Sequence, residues 1–363
     1  MSEKIFCLRP QYLNEFKCDG VKCDSKCCQN NWGIFVDAKT CEKYFSLPPE
    51  QSRKILQHLR PDSTGDKFFI VHDKNRCPFL DADNLCCIQK AYGEDYISRV
   101  CASFPRMITR LENFLEVALS PVCPLAAEIV LLKREPLTFE LVEADEKFLR
   151  LGEGSILQGP PAGFGKILLG MQFEMVTILQ ERRLTIDRRL IVLGFFLDRI
   201  EELLHAGELD ADSLSKLAEI YSSEKFFAEQ VPLMLKCVHF NAAAYENFMR
   251  QIFLEVDISI ERTDKKFLPE EFATIAENFL VNEIFLNAWP LRINDSIANN
   301  FCSFVTVYKI FERLACCVES VDEVLSMVGE FSKSINHSED CLLKISALVG
   351  DDTFGLMEKL LRA

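Results

Sequence analysis

The sequence predicts a mainly α-helical protein in which a small cysteine-rich, metal-binding domain of loops and a β-hairpin packs on a larger all-helical domain. Three observations predict it. Eleven of the sixteen cysteines fall within the first 123 residues. A stretch rich in glycine and proline, 149–165, then interrupts the chain. Beyond it, apolar residues recur at intervals of three and four through one segment after another. The organisation this implies is a cysteine-rich domain over 1–148, a linker over 149–165 and a helical domain over 166–363.

Helical stretches in the first part are short. Asp37 has the chemistry of an N-cap for a helix to Tyr44, and Pro48-Pro49-Glu50 opens another running to about Leu59. Lys67–Val71 reads as a strand before the Asp73-Lys74-Asn75 turn. Met107–Leu111 and Phe114–Leu119, on either side of Glu112-Asn113, have the pattern of a β-hairpin whose turn lacks its preferred glycine. Cys123-Pro124 begins a helix through about Lys133, which Pro136 ends. In the second part the periodicity predicts helices over 164–182, 185–206, 213–229, 243–253, 269–288, 295–318, 320–336 and 351–361.

Eight of the early cysteines form a pattern: Cys18-x4-Cys23-x3-Cys27-Cys28, then Cys77-Pro78, Cys86, Cys101 and Cys123-Pro124. Thiolates are soft ligands that suit zinc or iron–sulfur centres, and short spacings let one loop offer several sulfurs to one ion. Eight candidates supply either two four-thiolate sites or one cluster with the remaining thiols around it or in the core. Neighbouring residues of an extended backbone point opposite ways, so Cys27 and Cys28 are expected to part company, one toward the metal and one elsewhere. Cys7, Cys41 and Cys87 lie outside the pattern. Cys237, Cys302, Cys316, Cys317 and Cys341 sit in helical stretches and read as core. Of the five histidines, His72 alone lies near the metal segments.

No stretch approaches the roughly 20 apolar residues of a membrane span, and the N-terminus lacks the apolar region of a signal peptide. The expected compartment is the cytoplasm, where clustered thiols stay reduced and bind metal. The net charge of −14 is uneven: residues 1–135 sum to +1 and the remainder to −15. An acidic helical part argues against nucleic acid as a partner and tolerates a lysine-bearing protein. Several cofactor motifs are missing. The stretch Gly159–Ile167 resembles a phosphate loop but is one residue too long, and Ile167 stands where a magnesium-binding hydroxyl belongs. There is no strand-led GxGxxG. The Cys-x3-Cys-x2-Cys triad of common radical-adenosylmethionine enzymes is absent too, with Asn30 at its third position.

The ensemble Cys18…Cys23…Cys27-Cys28, Cys77-Pro78-Phe79-Leu80, Leu85-Cys86-x-Ile88-Gln89-Lys90, Gly93-Glu94, Cys101-x-x-Phe104-Pro105-Arg106 and Ser120-x-x-Cys123-Pro124-x-Ala126-Ala127 resembles the flagellin lysine-N-methylases and the wider cysteine-rich metal-chelating families related to them. A second stretch, Glu277-Asn278-Phe279-Leu280-Val281-Asn282-Glu283, is similar to the C-terminal part of that family. The resemblance implies methyl transfer from S-adenosylmethionine to flagellin lysines, with an iron–sulfur cluster (4Fe-4S, or zinc as the alternative) held from the pool of eight cysteines. Cys87, where the family pattern leads one to expect a small polar residue, leaves open whether Cys86 or Cys87 points at the metal. The loop between Cys28 and Trp32 also lacks a glycine.

In a direct displacement the acceptor lysine must first lose its proton, at a cost of about 4–5 kcal/mol at pH 7. Tyr92, Glu94, Asp95 and Tyr96, close in sequence to the metal segments, are the candidates to accept it. The competing readings are a zinc-stabilised binding module without chemistry, which would dock a lysine-rich partner on its acidic helices, and an electron-transfer module. The expected site lies where the two domains meet, because pockets favour such junctions.

Overall fold

The strand that organises the N-terminal part is β1, Phe6–Pro10. The computed structural model describes the chain apart from residues 1–4, 24, 30–31, 63–67, 112–113, 146–147, 150–163, 259–268, 292, 294–295 and 336–337. Two short strands, β2 (Phe35–Val36) and β3 (Leu59–Pro61), flank β4 (Phe68–Ile70) in a three-stranded antiparallel sheet. The expected hairpin forms from β5 (Arg106–Leu111) and β6 (Phe114–Leu119), registered Arg106 with Leu119 through Leu111 with Phe114. Its turn falls outside the described residues.

β1 lies parallel to β6 and antiparallel to β7, Phe139–Glu143, which completes a four-stranded sheet in the order β5-β6-β1-β7. Neither β1 nor β7 is expected from the sequence. Each is five residues long, and its identity depends on a partner more than a hundred residues away.

The early helices are α1 (Ala38–Phe45), α2 (Pro49–Leu56), α3 (Cys87–Tyr92), α4 (Arg99–Ser103) and α5 (Pro124–Leu131). Asp37 caps α1 as expected, its carboxylate accepting from the Thr40 N–H at 3.1 Å. α5 stops before Lys133, and α2 stops at Leu56 because Leu59 enters β3. A small core of Val36, Cys41, Tyr44, Ile55, Leu59, Phe79 and Ile88 holds this region together.

The described helices of the second part are α6 (Gly165–Leu179), α7 (Ile186–Ala206), α8 (Ala211–Tyr221), α9 (Val231–Cys237), α10 (Ala242–Glu255), α11 (Pro269–Leu286), α12 (Ile297–Ala315), α13 (Val321–Ile335), α14 (Glu339–Val349) and α15 (Thr353–Leu360). The architecture is therefore mainly α with a small strand-containing N-terminal region, as the sequence predicts. The helix expected over 213–229 breaks at Ser222-Ser223. Their hydroxyls donate to the Ala218 and Ile220 carbonyls, and Ser223 Oγ accepts from the Phe226 N–H, so side chains replace the backbone ladder there. The chain resumes through a π-helical turn, Phe226–Gln230, into α9. α14, which the sequence pattern does not suggest, is capped by Ser338. The linker expected over 149–165 lies almost wholly outside the described residues.

α12 is the central helix, buried continuously from Ile297 to Phe311 and packed against α7, α13, α14 and α15. α11 joins the helices to the sheet, and the second motif stretch lies on it. Glu277 accepts from both Arg182 and Arg189, and Asn278 donates to the Leu131 and Lys133 carbonyls at the end of α5. Phe279 stacks on Phe311, with centroids 4.2 Å apart. Asn282 accepts from the Tyr12 hydroxyl and donates to the Leu119 carbonyl of β6. This stretch ties the sheet to the helical core. One continuous hydrophobic core accordingly runs from β1 to α15.

Candidate metal centre

Local hydrogen bonds place each cysteine of the pattern. In the first loop the Asp19 carboxylate accepts from the Val21 and Lys22 N–H groups, and Ser25 N–H donates to the Gly20 carbonyl. Gly20 is required here: a Cβ would stand 2.8 Å from Ser25 Oγ and 3.1 Å from Leu85 Cδ2. Ser25 adopts a left-handed conformation, and Lys26–Cys28 then form a 3-10 turn. That turn brings Cys27 Sγ and Cys28 Sγ to 3.8 Å. The opposed orientation expected of these neighbours assumed an extended backbone; the helical turn puts both thiols on one side.

The second loop is tied directly to the first, because Cys77 N–H donates to the Cys28 carbonyl at 2.8 Å. The Asp81 carboxylate accepts from the Asp83 and Leu85 N–H groups and pairs with Lys90, so it fixes the path into α3. A bridge between Leu80 and Cys86 turns Cys86 inward and leaves Cys87 exposed at the start of α3. Cys101 sits in the first turn of α4, whose cap is Ser98, while the Asp37 carboxylate accepts from Arg99 N–H. Cys123 is the N-cap of α5.

These placements converge. Cys18, Cys23, Cys27, Cys28, Cys77, Cys86, Cys101 and Cys123 all line a single cavity of about 560 Å³. Phe16, Trp32, Tyr44 and Phe104 give it an aromatic wall, with Trp32 set edge-on to Phe104 at 5.2 Å, and His72 also lines it. Its walls come from residues 16–125 alone, so it lies within the N-terminal part and not at the meeting of the two parts as expected. Tyr92, Glu94, Asp95 and Tyr96 do not line it. Tyr92 and Tyr96 pack on the small core, with rings 5.3 Å apart, and Lys43 donates to the Asp95 carbonyl.

Of the other cysteines, Cys7 and Cys41 are buried away from the cavity. Cys302 and Cys341 are core as expected, whereas Cys237 and Cys316 are exposed and Cys317 is half-buried, because their helix ends face solvent. The aromatic wall was not singled out from sequence, although Phe104 stands inside one of the cysteine motifs.

Burial dominates the electrostatics. It pushes the Cys77 and Cys123 thiols up to about 11 and Cys101 up to about 12, and raises Cys18 and Cys86. Arg106, stacked 5.0 Å over the Phe16 ring, favours the Cys18 thiolate but does not overcome burial and the neighbouring thiols. The S–H···S contact holds Cys27 down and Cys28 up.

The donor set, eight thiols lining one cavity, has the chemistry of a thiolate-held inorganic group. Among the described residues, no three cysteine, histidine, aspartate or glutamate side chains converge closely enough to hold one metal ion.

With this geometry in place, the chain can be compared with known proteins. The FliB lysine N-methylase C-terminal domain matches residues 173–362. Over 127 residues, 34% of the chain, it is 31% identical to the flagellar biosynthetic protein FliU of Salmonella muenchen, and the match covers 75% of that protein. Over the same length it is 32% identical to the lysine-N-methylases of Salmonella typhimurium and Salmonella choleraesuis, and spans 31% of each. No solved structure gives a significant match. Since the domain match takes in more than half of the chain, this protein belongs to the FliB lysine N-methylase family.

Proposed function

We propose that this protein transfers methyl groups from S-adenosylmethionine to lysine side chains of flagellin, with an iron–sulfur cluster held by cysteines of the cavity. The observation that carries the proposal is the convergence of all eight pattern cysteines on one aromatic-walled cavity. The similarity to a flagellar biosynthetic protein and two lysine-N-methylases supports the substrate class. The reading places the protein in the reducing cytoplasm, where thiols remain available to metal. Among the described residues, no helix is long and apolar enough to cross a membrane.

A bound cluster would supply a Lewis-acidic or redox-active iron beside the methyl donor. The chain's own residues do the rest. Cys18, Cys23, Cys27, Cys28, Cys77, Cys86, Cys101 and Cys123, on loops tied together by the Cys77–Cys28 hydrogen bond, are the pool of thiolates that would hold the cluster. Phe16, Trp32 and Phe104 exclude water and lower the cost of deprotonating a lysine amine. His72 is the imidazole in the wall. Burial holds the Tyr44 phenol protonated, well above its ordinary range.

The test is anaerobic purification followed by iron and acid-labile sulfide counts, then mass spectrometry of flagellin incubated with the protein and S-adenosylmethionine. Brown protein containing iron and sulfide, together with methylated flagellin, is the expected result. Colourless, zinc-bearing protein that leaves flagellin unmodified would reject the reading in favour of a binding module.

A further inference from the structure

A second cavity, a groove of about 720 Å³, adjoins the cysteine cavity. It runs between the first cysteine loop, the start of α5 and one face of α13. Cys27 and Leu125 line both spaces, so a molecule in the groove lies against the wall of the cysteine cavity. The groove is also where the family-matched C-terminal part reaches the cysteine loops.

α13 turns one face to the groove: Asp322, Leu325, Ser326, Gly329, Glu330 and Lys333 follow the three- and four-residue spacing of a helix stripe. Gly329 faces the segment before α5, where a Cβ would make ordinary contact with the Pro121 and Val122 carbonyl oxygens at 3.6 and 3.7 Å. Asp322, Glu330 and Lys333 make no ion pair with another described residue. Opposite them stand Lys22 and Lys26 from the loop and Glu128 from α5. Three ammonium groups and three carboxylates therefore face one groove whose floor, Val122, Pro124 and Leu125, is apolar.

We propose that this groove is the methyl-donor site and takes S-adenosylmethionine, its amino-acid end among the charges of α13 and its sulfonium toward Cys27. The assignment rests on the methylase reading above. The balance of charge selects the ligand. An acceptor lysine carries only positive charge and would favour an acidic groove, whereas the donor carries a carboxylate as well as an ammonium and a sulfonium. Its nucleoside matches the apolar floor, and the volume lies in the range of small-molecule sites, about 300–1,000 Å³. The shared wall at Cys27 puts the transferable methyl beside the cavity that holds the metal ligands.

The experiment is equilibrium binding of radiolabelled S-adenosylmethionine to the anaerobically purified full chain and to Asp322→Lys and Lys333→Glu variants, with iron and sulfide counts on each. Each variant is expected to weaken donor binding by about tenfold or more, the scale of one lost charge contact, with metal content and visible spectrum unchanged. Donor affinity equal to that of the wild type in both variants overturns the groove assignment and leaves the methylase reading standing. Unchanged donor affinity with a raised KM for flagellin overturns it in favour of an acceptor groove. Wild-type protein that loads iron but binds no donor overturns both.

Discussion

Replacing Glu116 by glutamine is expected to stabilise the protein at neutral pH and to flatten the dependence of its stability on pH. Glu116 lies in the middle of β6, opposite Leu8 of β1 and Thr109 of β5, and is fully buried. Among the described residues its Oε2 accepts from the Gln172 amide at 3.4 Å, while Oε1 has no hydrogen-bond partner. Burial pushes its carboxyl from an ordinary 4.5 up to about 8, and the Gln172 amide offsets that only slightly. The native protein therefore keeps a proton that the unfolded chain releases above pH 4.5. Stability contributed by that proton is fully present below 4.5, declines as pH rises, and is lost by about 8.

Each pH unit in that window costs about 1.4 kcal/mol, so the loss is about 3 kcal/mol at pH 7, a large share of a typical folding free energy. Glutamine keeps the shape without the titration. Urea unfolding of the reduced, metal-loaded protein at about pH 5 and about pH 7.5 measures the difference, and carboxyl infrared absorption of the native state reads the proton directly. The gain of Glu116→Gln over wild type should grow between those values. An equal difference at both, with no protonated-carboxyl band lost in the variant, would refute the reasoning.

Three further outcomes test the site and its scaffold. Cys101→Ser and Cys86→Ser should strip iron and sulfide while Cys87→Ser retains both, as metal counts will show; parity between Cys86→Ser and Cys87→Ser would mean the second loop is placed wrongly. Arg189→Met leaves Glu277 with Arg182 alone and frees the Leu179 and Leu184 carbonyls, and should cost about 3–5 kcal/mol in urea unfolding, with a loss under about 1 kcal/mol contradicting it. Asn282→Ala removes the acceptor of the Tyr12 hydroxyl and orphans the Leu119 carbonyl; it should cost about 1–3 kcal/mol and speed amide exchange in β1 and β6, and unchanged exchange there would show that α11 does not anchor the sheet.

The sequence was most informative where structure is local. Asp37 as a cap, the hairpin strands β5 and β6, and the long helices from α6 to α13 follow from spacing within a few residues, because helices and hairpins satisfy their hydrogen bonds at short range. Ser222-Ser223 broke one predicted helix because side-chain hydroxyls compete for the same backbone groups, which an apolar repeat does not register. The grouping of the eight pattern cysteines was legible as well, since all of them line one cavity.

What the sequence determined by itself is thus the mainly helical character of the chain and which cysteines gather around the cavity. The tertiary structure alone decided that β1 pairs with β6 and β7, that Cys27 and Cys28 face the same way, that Cys86 and not Cys87 turns inward, and that a charged groove of α13 lies against the cavity wall. These are choices between partners tens to hundreds of residues apart. Closing the loops between them has an entropic cost that only the packed core and the sheet offset, so no window along the sequence carries the answer.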